Sequence, residues 1–543
     1  MHRIESNKSC KKREMSMKIV KNNLFIIIVW SIISFIPLCD ANHQVTSHTV
    51  VANGQVPFSS VTPEMVSGFR LERTYAKKGI RGGVFQAELF GGASTHATEK
   101  HLALYFFPHN KTLLSVAEDG NSDNFDKKKD LLAQHFSIFT KNGSFRSEIS
   151  IAPQQSTFGL GVYWRQCLVR DPFKGDSLWL SVSTALEHIR NRMNLHEKVL
   201  DTGGGPSESA GVPVVANMTE AFIQEQWLFG KIPQGVITKT RLADIEFKCG
   251  YDNYLPDEPS HMEIYVGCVI PTGNKYTGEF VFEPIVGRGK YAGLMAGGAL
   301  GKNMWVNYKE DRKIAWELAV HGEYLFKNKQ KRSLDLVDKP WSRYIQLYAN
   351  EEQAEQAADL ALIDRSRAIN LFTPGINLLT QELIVHPNFL YDMNGAFVGT
   401  IDKMRVEAGY NVFFKGAERV KLAHSFDPVF AIKHADGIGT TNPIRTISGN
   451  KYLEQNVINS SEEIIIPVLL ADFAQSIVQE ADLDFLSAAT PALLTHTVYM
   501  SVGTCMDGRE HPYSANIGIS YTFANNNAAI NKWLLWAKSS ISF

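Results

Sequence analysis

The chain has 543 residues, of which 44% are hydrophobic, 20% charged and 11% aromatic. This composition argues against a protein that crosses a membrane with several helices, because each such helix needs about 20 predominantly apolar residues. The formal net charge of −1 gives no reason to expect nucleic acid as a partner.

The N-terminus has the order of charged, apolar and small residues that is typical of a secretory signal peptide. Lys18 and Lys21 precede an apolar run over residues 24–38, and Cys39-Asp40-Ala41 follows it. We therefore predict that residues 1–41 are a cleaved signal peptide, with an uncleaved membrane anchor as the alternative. Met15 and Met17 are alternative start sites if the preceding residues are an upstream extension. Residues 42–80 are predicted to form an N-terminal periplasmic segment.

The rest of the chain repeatedly places apolar residues at every second position over about ten residues, the length of a membrane-spanning strand. In residues 313–326, Ile314 and Trp316 begin the apolar series, whereas Lys313, Glu317 and His321 belong to the polar one. Other clear segments are 158–165, 245–251, 262–270, 403–415 and 516–523, and weaker ones are 82–92, 145–151, 177–185, 279–286, 291–301, 341–348, 378–385, 388–398, 495–503 and 532–543. Residues 81–543 are thus predicted to be an all-β protein, a closed antiparallel transmembrane β-barrel of about 12–16 strands with long loops that carry short helices.

The predicted loops are uneven in length. Long connections cover residues 93–143, 188–240, 349–377 and 424–490, with helix-like stretches at 219–229, 351–367 and 472–485. Counting strands up and down places 188–240 on the periplasmic side, where barrels usually have short turns. This conflict indicates that a strand has been missed or wrongly assigned in that region.

Strand parity predicts which residues line the lumen. The candidates are Glu246, Lys248, Glu263, Lys313, Glu317, Arg405 and Glu407, and the same pattern pairs Arg146 with Glu148. A register error of one residue would turn a strand's whole polar face outward. Aromatic residues near the predicted strand ends fit belts at the membrane interfaces: Trp164, Tyr251, Trp305, Trp341, Tyr344, Trp533 and Trp536.

The last strand ends in Ile541-Ser542-Phe543, with apolar residues at alternating positions before it. A final strand with a terminal Phe resembles the insertion signal of Gram-negative outer-membrane barrel proteins. The resemblance implies that the barrel-assembly machinery is a partner and that Ile541 and Phe543 carry the signal.

A second resemblance lies in the middle of the chain. The segment 265–273 ends in Pro271-Thr272-Gly273, and Gly287-Arg288-Gly289 follows before the next strand. This resembles the barrels grouped with the meta-pathway of phenol degradation, which are similar to outer-membrane transporters of long-chain fatty acids. It implies passage of hydrophobic small molecules, whereas from the residues alone Pro and Gly need only form turns.

The sequence contains no GxSxG, HExxH, Walker-type or dinucleotide-binding motif, so no enzyme activity, cofactor or metal is predicted. His496 and Ser501 fall on opposite strand faces, and His321 and His496 are interpreted as structural. Residues 119–130 are similar in spacing to a calcium loop but depart from it at Asn124 and Lys127, which favours an acidic external loop. The redox state of Cys167, Cys249, Cys268 and Cys505 is left open.

The leading hypothesis is a porin-like outer-membrane channel for passive diffusion of small solutes. The alternatives are a transporter of hydrophobic compounds, a surface structural or adhesive protein anchored by a barrel, and a secreted soluble β protein. Outer-membrane lipid and small solutes are the expected partners. The solute, the pore size and any homo-oligomer are left open.

Overall fold

A computed structural model describes residues 82–118, 131–171, 176–207, 214–254, 260–308, 312–350, 352–353, 356, 372–431, 477–506, 511–524 and 528–543. The predicted signal peptide, the segment 42–80 and the acidic stretch 119–130 lie outside these residues, as do nearly all of 351–367 and the first part of 472–485.

Twelve long strands form one ring. They are β1 (Gly83–Ser94), β2 (Gln154–Asp171), β3 (Asp176–Arg192), β4 (Ile245–Tyr254), β5 (Ser260–Ile270), β6 (Gly293–Val306), β7 (Arg312–Leu325), β8 (Phe389–Ile401), β9 (Met404–Lys415), β10 (Leu493–Met506), β11 (Tyr513–Ala524) and β12 (Lys532–Ser542). Each pairs antiparallel with the next, and β12 pairs with β1. The predicted closed antiparallel barrel is confirmed, at the low end of the expected strand number.

The ring is closed by backbone hydrogen bonds between the first and last strands. Val84 stands opposite Ser542. The Gly83 amide donates to the Phe543 carbonyl at 2.8 Å, and the Phe543 amide donates to the Gly83 carbonyl at 3.0 Å. Closure leaves no unpaired edge in the ring, which is the condition for crossing a bilayer with strands.

The two ends of the ring differ in the length of their connections. At the end that carries Gly83 and Ser542, the strands are joined by residues 172–175, 255–259, 307–311, 402–403 and 507–512. At the other end they are joined by residues 95–153, 193–244, 271–292, 326–388, 416–492 and 525–531. We call these the turn end and the loop end.

The conflict over residues 188–240 has its cause in residues 145–151. They do contain a strand, Arg146–Ser150, but it pairs with Leu113–Ala117 and His196–Asp201 in a separate four-stranded sheet and not in the ring. Removing it from the barrel count moves the connection 193–244 to the loop end with the other long connections. The predicted lumen pair of Arg146 and Glu148 is therefore wrong. The weaker segments 279–286, 341–348 and 378–385 likewise lie in connections.

The described connections at the loop end pack into a folded layer, which we call the cap, with its own hydrophobic core. Its centre is aromatic: Trp227 stacks on Tyr344 at 5.0 Å between ring centroids, and Trp341 lies edge-on to Tyr344 at 5.2 Å. The belt prediction was thus wrong for Trp341 and Tyr344, which are buried in the cap, and for Trp536, which is buried on the inner side of β12.

The α-helices that are described over their full length are short: α1 (His96–Phe106), α2 (Met218–Ala221) and α3 (Gly375–Leu378). Residues 352, 353 and 356 are also helical. Only α2 remains of the predicted helix over 219–229, and a 3₁₀ turn at Glu480–Asp482 stands within 472–485. In the described residues, no helix is long and apolar enough to cross a membrane.

Candidate functional site

The two faces of the ring differ sharply in exposure. Outward positions carry apolar side chains that are open to the surroundings, such as Val266 (65% exposed) and Phe397 (62%). The alternating inner positions are buried and mostly polar, such as Glu263 (1%) and Asn411 (0%). The strand period of two therefore separates an apolar outer wall from a polar interior.

All seven residues predicted to line the lumen occupy inner positions, on β4, β5, β7 and β9. Glu246, Glu263, Glu317 and Glu407 are buried, whereas Lys248, Lys313 and Arg405 are partly exposed. Their role in passage of a solute stays a prediction. Parity applied to every strand would also have found the other inner charges, which are Glu88, Arg165, Glu187, Asp252, Glu323, Asp392, Lys415, Lys532 and Lys538.

Arg165 joins strands that are not neighbours in the ring. Its Nη1 donates to Glu263 Oε2 on β5 at 2.9 Å, and its Nη2 donates to Asp252 Oδ2 on β4 at 2.9 Å. The guanidinium lies 4.0 Å from the centroid of the Trp179 ring. Because β3 and β4 lie between β2 and β5, this side chain spans part of the interior.

Aromatic side chains continue from this cluster along the inner wall. Trp179 on β3 contacts Tyr265 on β5, with ring centroids 6.2 Å apart. The Tyr265 hydroxyl is hydrogen-bonded to His321 Nδ1 on β7 at 2.9 Å. Gly250 makes room for this row, because a Cβ there would lie 2.3 Å from the Trp179 ring.

Arg288 enters the interior from the connection 271–292. Its backbone amide donates to Asp244 Oδ2 at 2.6 Å, its Nε lies 2.8 Å from Glu323 Oε1, and its Nη2 donates to Glu246. These carboxylates raise the pKa of the Arg288 guanidinium, although burial opposes the charge. Burial raises the pKa of the Asp244 carboxyl, and Arg288 opposes that shift.

The other half of the interior is held by hydrogen bonds centred on β10. The Tyr499 hydroxyl donates to Asn394 Oδ1 on β8 at 2.9 Å, and it lies 3.3 Å from Glu407 Oε1 on β9. The Tyr499 ring also contacts Trp536 on β12, with centroids 6.4 Å apart. Asp392 on β8 interacts electrostatically with Lys248 on β4, four strands away around the ring.

Charged, hydroxyl-bearing and aromatic side chains from several strands thus meet in the interior. In the described part of the chain, no group of three His, Cys, Asp or Glu side chains is arranged to hold a metal ion.

Ile541 and Phe543 stand on the outer wall at the turn end, both well exposed. This leaves their side chains accessible, and their role as an insertion signal stays a prediction. Of the four cysteines Cys167, Cys249, Cys268 and Cys505, Cys167 is buried and Cys249 is exposed.

No protein-family model matches the chain, and no curated protein matches it. Solved structures with a similar fold include an outer-membrane channel of Pseudomonas putida, with 6% identity, a TM-score of 0.37 and coverage of 86% of this chain and 96% of that one. A FadL homologue of Pseudomonas aeruginosa is 7% identical, with a TM-score of 0.28 and coverage of 92% of this chain and 98% of that one. The β domain of a Bordetella autotransporter is 7% identical, with a TM-score of 0.29 and coverage of 86% of this chain and 100% of that one. At these TM-scores the matches say nothing about what this chain binds.

Proposed function

We propose that this chain is an outer-membrane barrel that passes small polar or charged solutes through its interior, and that its own side chains close it at rest. The observation that carries the proposal is the closed ring of twelve strands with an apolar outer wall and a charged, hydrogen-bonded interior. With short turns at one end and long connections at the other, the turn end faces the periplasm and the loop end faces outward.

The closed state follows from the contacts between distant strands. A freely open passive porin would keep its wall charges hydrated, but Arg165 is held between Glu263 and Asp252 and packed on Trp179. The charges on the inner wall suit a solute that can exchange these ion pairs for its own contacts. They do not suit the hydrophobic compounds implied by the second resemblance, because an apolar solute would leave the charges unpaired.

In this proposal the connection 271–292 constricts the loop end. Arg288 anchors it to Glu246 on β4 and Glu323 on β7, and the Phe282 carbonyl accepts from Asn191 Nδ2 on β3 at 3.3 Å. One segment is therefore tied to three strands of the ring. Its release would widen the mouth without disturbing the hydrogen bonds that close the barrel.

Anchoring of a surface layer is the second candidate function. The size and aromatic packing of the cap core favour it, because a mere constriction needs no hydrophobic core of its own. In this case the barrel would hold the cap at the cell surface, and no solute would pass.

The test is the current through the purified protein in a planar bilayer, for the wild type and for Arg288→Gln. We expect small, infrequent currents from the wild type and larger, longer ones from the variant, because the loop loses its side-chain ties to β4 and β7 while its bond to β3 remains. Lys329→Gln is the control, since it breaks an exposed ion pair of the cap with Glu382 (3.3 Å). Silence of all three proteins, together with no solute uptake by loaded vesicles, would favour the anchor and reject the channel.

A further inference from the structure

The loop end of β3 differs from the rest of the outer wall. After the outward Leu186, the next outward positions of this strand are His188, Arg190 and Arg192. Both arginines are exposed, and neither forms an ion pair with another described residue. Three consecutive basic positions thus follow directly on the apolar wall.

The other eleven strands carry no charged residue at their last outward positions at this end. Aromatic or aliphatic side chains stand there on most of them, for example Tyr324 on β7, Phe389 on β8, Phe523 on β11 and Trp533 on β12. Such a rim is typical of the membrane interface of a barrel. The basic positions of β3 interrupt it on one side only.

The neighbours of these residues are small and carry hydroxyl groups. Arg190 stands opposite Ser156 on β2 and opposite Thr238 on the short strand Ile237–Leu242, which pairs with β3 beyond the start of β4. His188 Nδ1 lies 2.7 Å from the Thr240 hydroxyl. The nearby acid Glu99 on α1 is engaged by Gln154 Nε2 at 2.6 Å and by His96.

Guanidinium groups beside hydroxyl donors are the usual protein ligands of phosphate. At the border of an apolar wall, phosphate is supplied by lipid headgroups, and each Lys or Arg near a membrane surface strengthens binding to anionic lipid. We propose that Arg190 and Arg192, with Ser156 and Thr238, form a surface that binds the phosphate of an anionic membrane lipid. This inference rests on the proposed membrane location, and it adds a fixed lipid site to it.

The experiment uses the full barrel in nanodiscs that contain phosphatidylglycerol and phosphatidylcholine, and native mass spectrometry counts the lipid retained after release. The wild type should retain phosphatidylglycerol in preference to phosphatidylcholine. Arg190→Gln/Arg192→Gln should lower that preference by about 30-fold, the effect of two surface arginines. The control is Lys302→Gln/Arg312→Gln, which makes the same charge change at exposed positions of the turn end on β6 and β7.

Equal retention by the wild type and the β3 variant would overturn the proposal, as would an equal loss in the control. Inorganic phosphate at the same concentration as the lipid is the third arm: if it displaces phosphatidylglycerol completely, the acyl chains contribute nothing, the surface binds a free anion and the lipid assignment is wrong. Failure of every protein to enter the nanodiscs would instead contradict the membrane location. The two failures are therefore distinguishable.

Discussion

Gly287 is the residue on which the geometry of the constricting loop depends most directly. Its φ of +72° lies in the left-handed region, and a Cβ there would stand 2.9 Å from the Asp244 carboxylate. A side chain at this position would therefore strain the backbone and displace the carboxylate that holds the Arg288 amide.

We expect Gly287→Ala to lower the free energy of unfolding by about 1–3 kcal/mol, measured by denaturant titration of the barrel in lipid vesicles. Gly235→Ala is the matched control in the cap, because its Cβ would meet no atom within 4 Å. Its effect should stay within about 0.5 kcal/mol. Equal effects of the two substitutions would show that the loop geometry does not contribute to stability.

Asp484 makes the stability of the cap depend on pH. Burial, and after it the charge of Asp335, raises the pKa of the Asp484 carboxyl from 3.8 to about 6. Between these two values the folded protein keeps a proton that the unfolded chain has lost, so stability falls as the pH rises through this window.

Asp484→Asn should remove this part of the pH dependence. The measurement is the thermal unfolding of the cap followed by tryptophan fluorescence, since Trp227 and Trp341 are buried there. Subtracting the pH profile of the variant from that of the wild type isolates the contribution of Asp484. Glu418 contributes in the opposite direction, because its lowered pKa makes stability rise with pH, and this contribution is common to both proteins. An identical pH profile for both proteins would contradict the assignment.

At the scale of elements, the backbone and the side chain at the end of β12 have different surroundings. The Phe543 backbone closes the ring on Gly83, whereas its side chain lies exposed on the outer wall. Phe543→Ala keeps the backbone hydrogen bonds and removes only the side chain.

If Phe543 carries the insertion signal that the resemblance implies, Phe543→Ala should refold normally in detergent but reach the outer membrane of cells several-fold less. Phe523→Ala, another exposed outward phenylalanine, should not reduce assembly. A normal amount of the Phe543→Ala variant in membrane fractions would show that the Phe543 side chain is not part of an insertion signal.

The alternation of buried and exposed residues in each strand could be predicted from the sequence. Whether a strand belongs to the barrel or to the cap could not. The segment 145–151 alternates as the barrel strands do because Ser147 and Ile149 face the cap core while Arg146 is exposed. A soluble sheet with one buried face produces the same period as a strand between lipid and water. Length separates the two cases, since the strand Arg146–Ser150 has five residues and β7 has fourteen.

At the scale of the whole molecule, the barrel can be predicted from local sequence patterns, whereas the side-chain contacts inside the barrel cannot. Parity assigns Arg165 and Glu263 to the inner face, but their contact exists only because closure brings β2 and β5 together. Arg288 stands in a loop between glycines, where the sequence suggests an exposed side chain. Its burial depends on carboxylates from two separate strands, and the cap core depends on connections far apart in the chain.

The most direct test concerns the alternation of lipid contact along β7. Single fluorophores are attached to cysteines placed at Leu318, Ala319 and Val320 in a cysteine-free background, and quenching by brominated acyl chains is measured in vesicles. Leu318 and Val320 are outward positions, and the buried Ala319 is an inner one. Strong quenching at 318 and 320 with little at 319 is the predicted result. Uniform quenching, or the reverse order, would contradict an apolar wall around a polar interior.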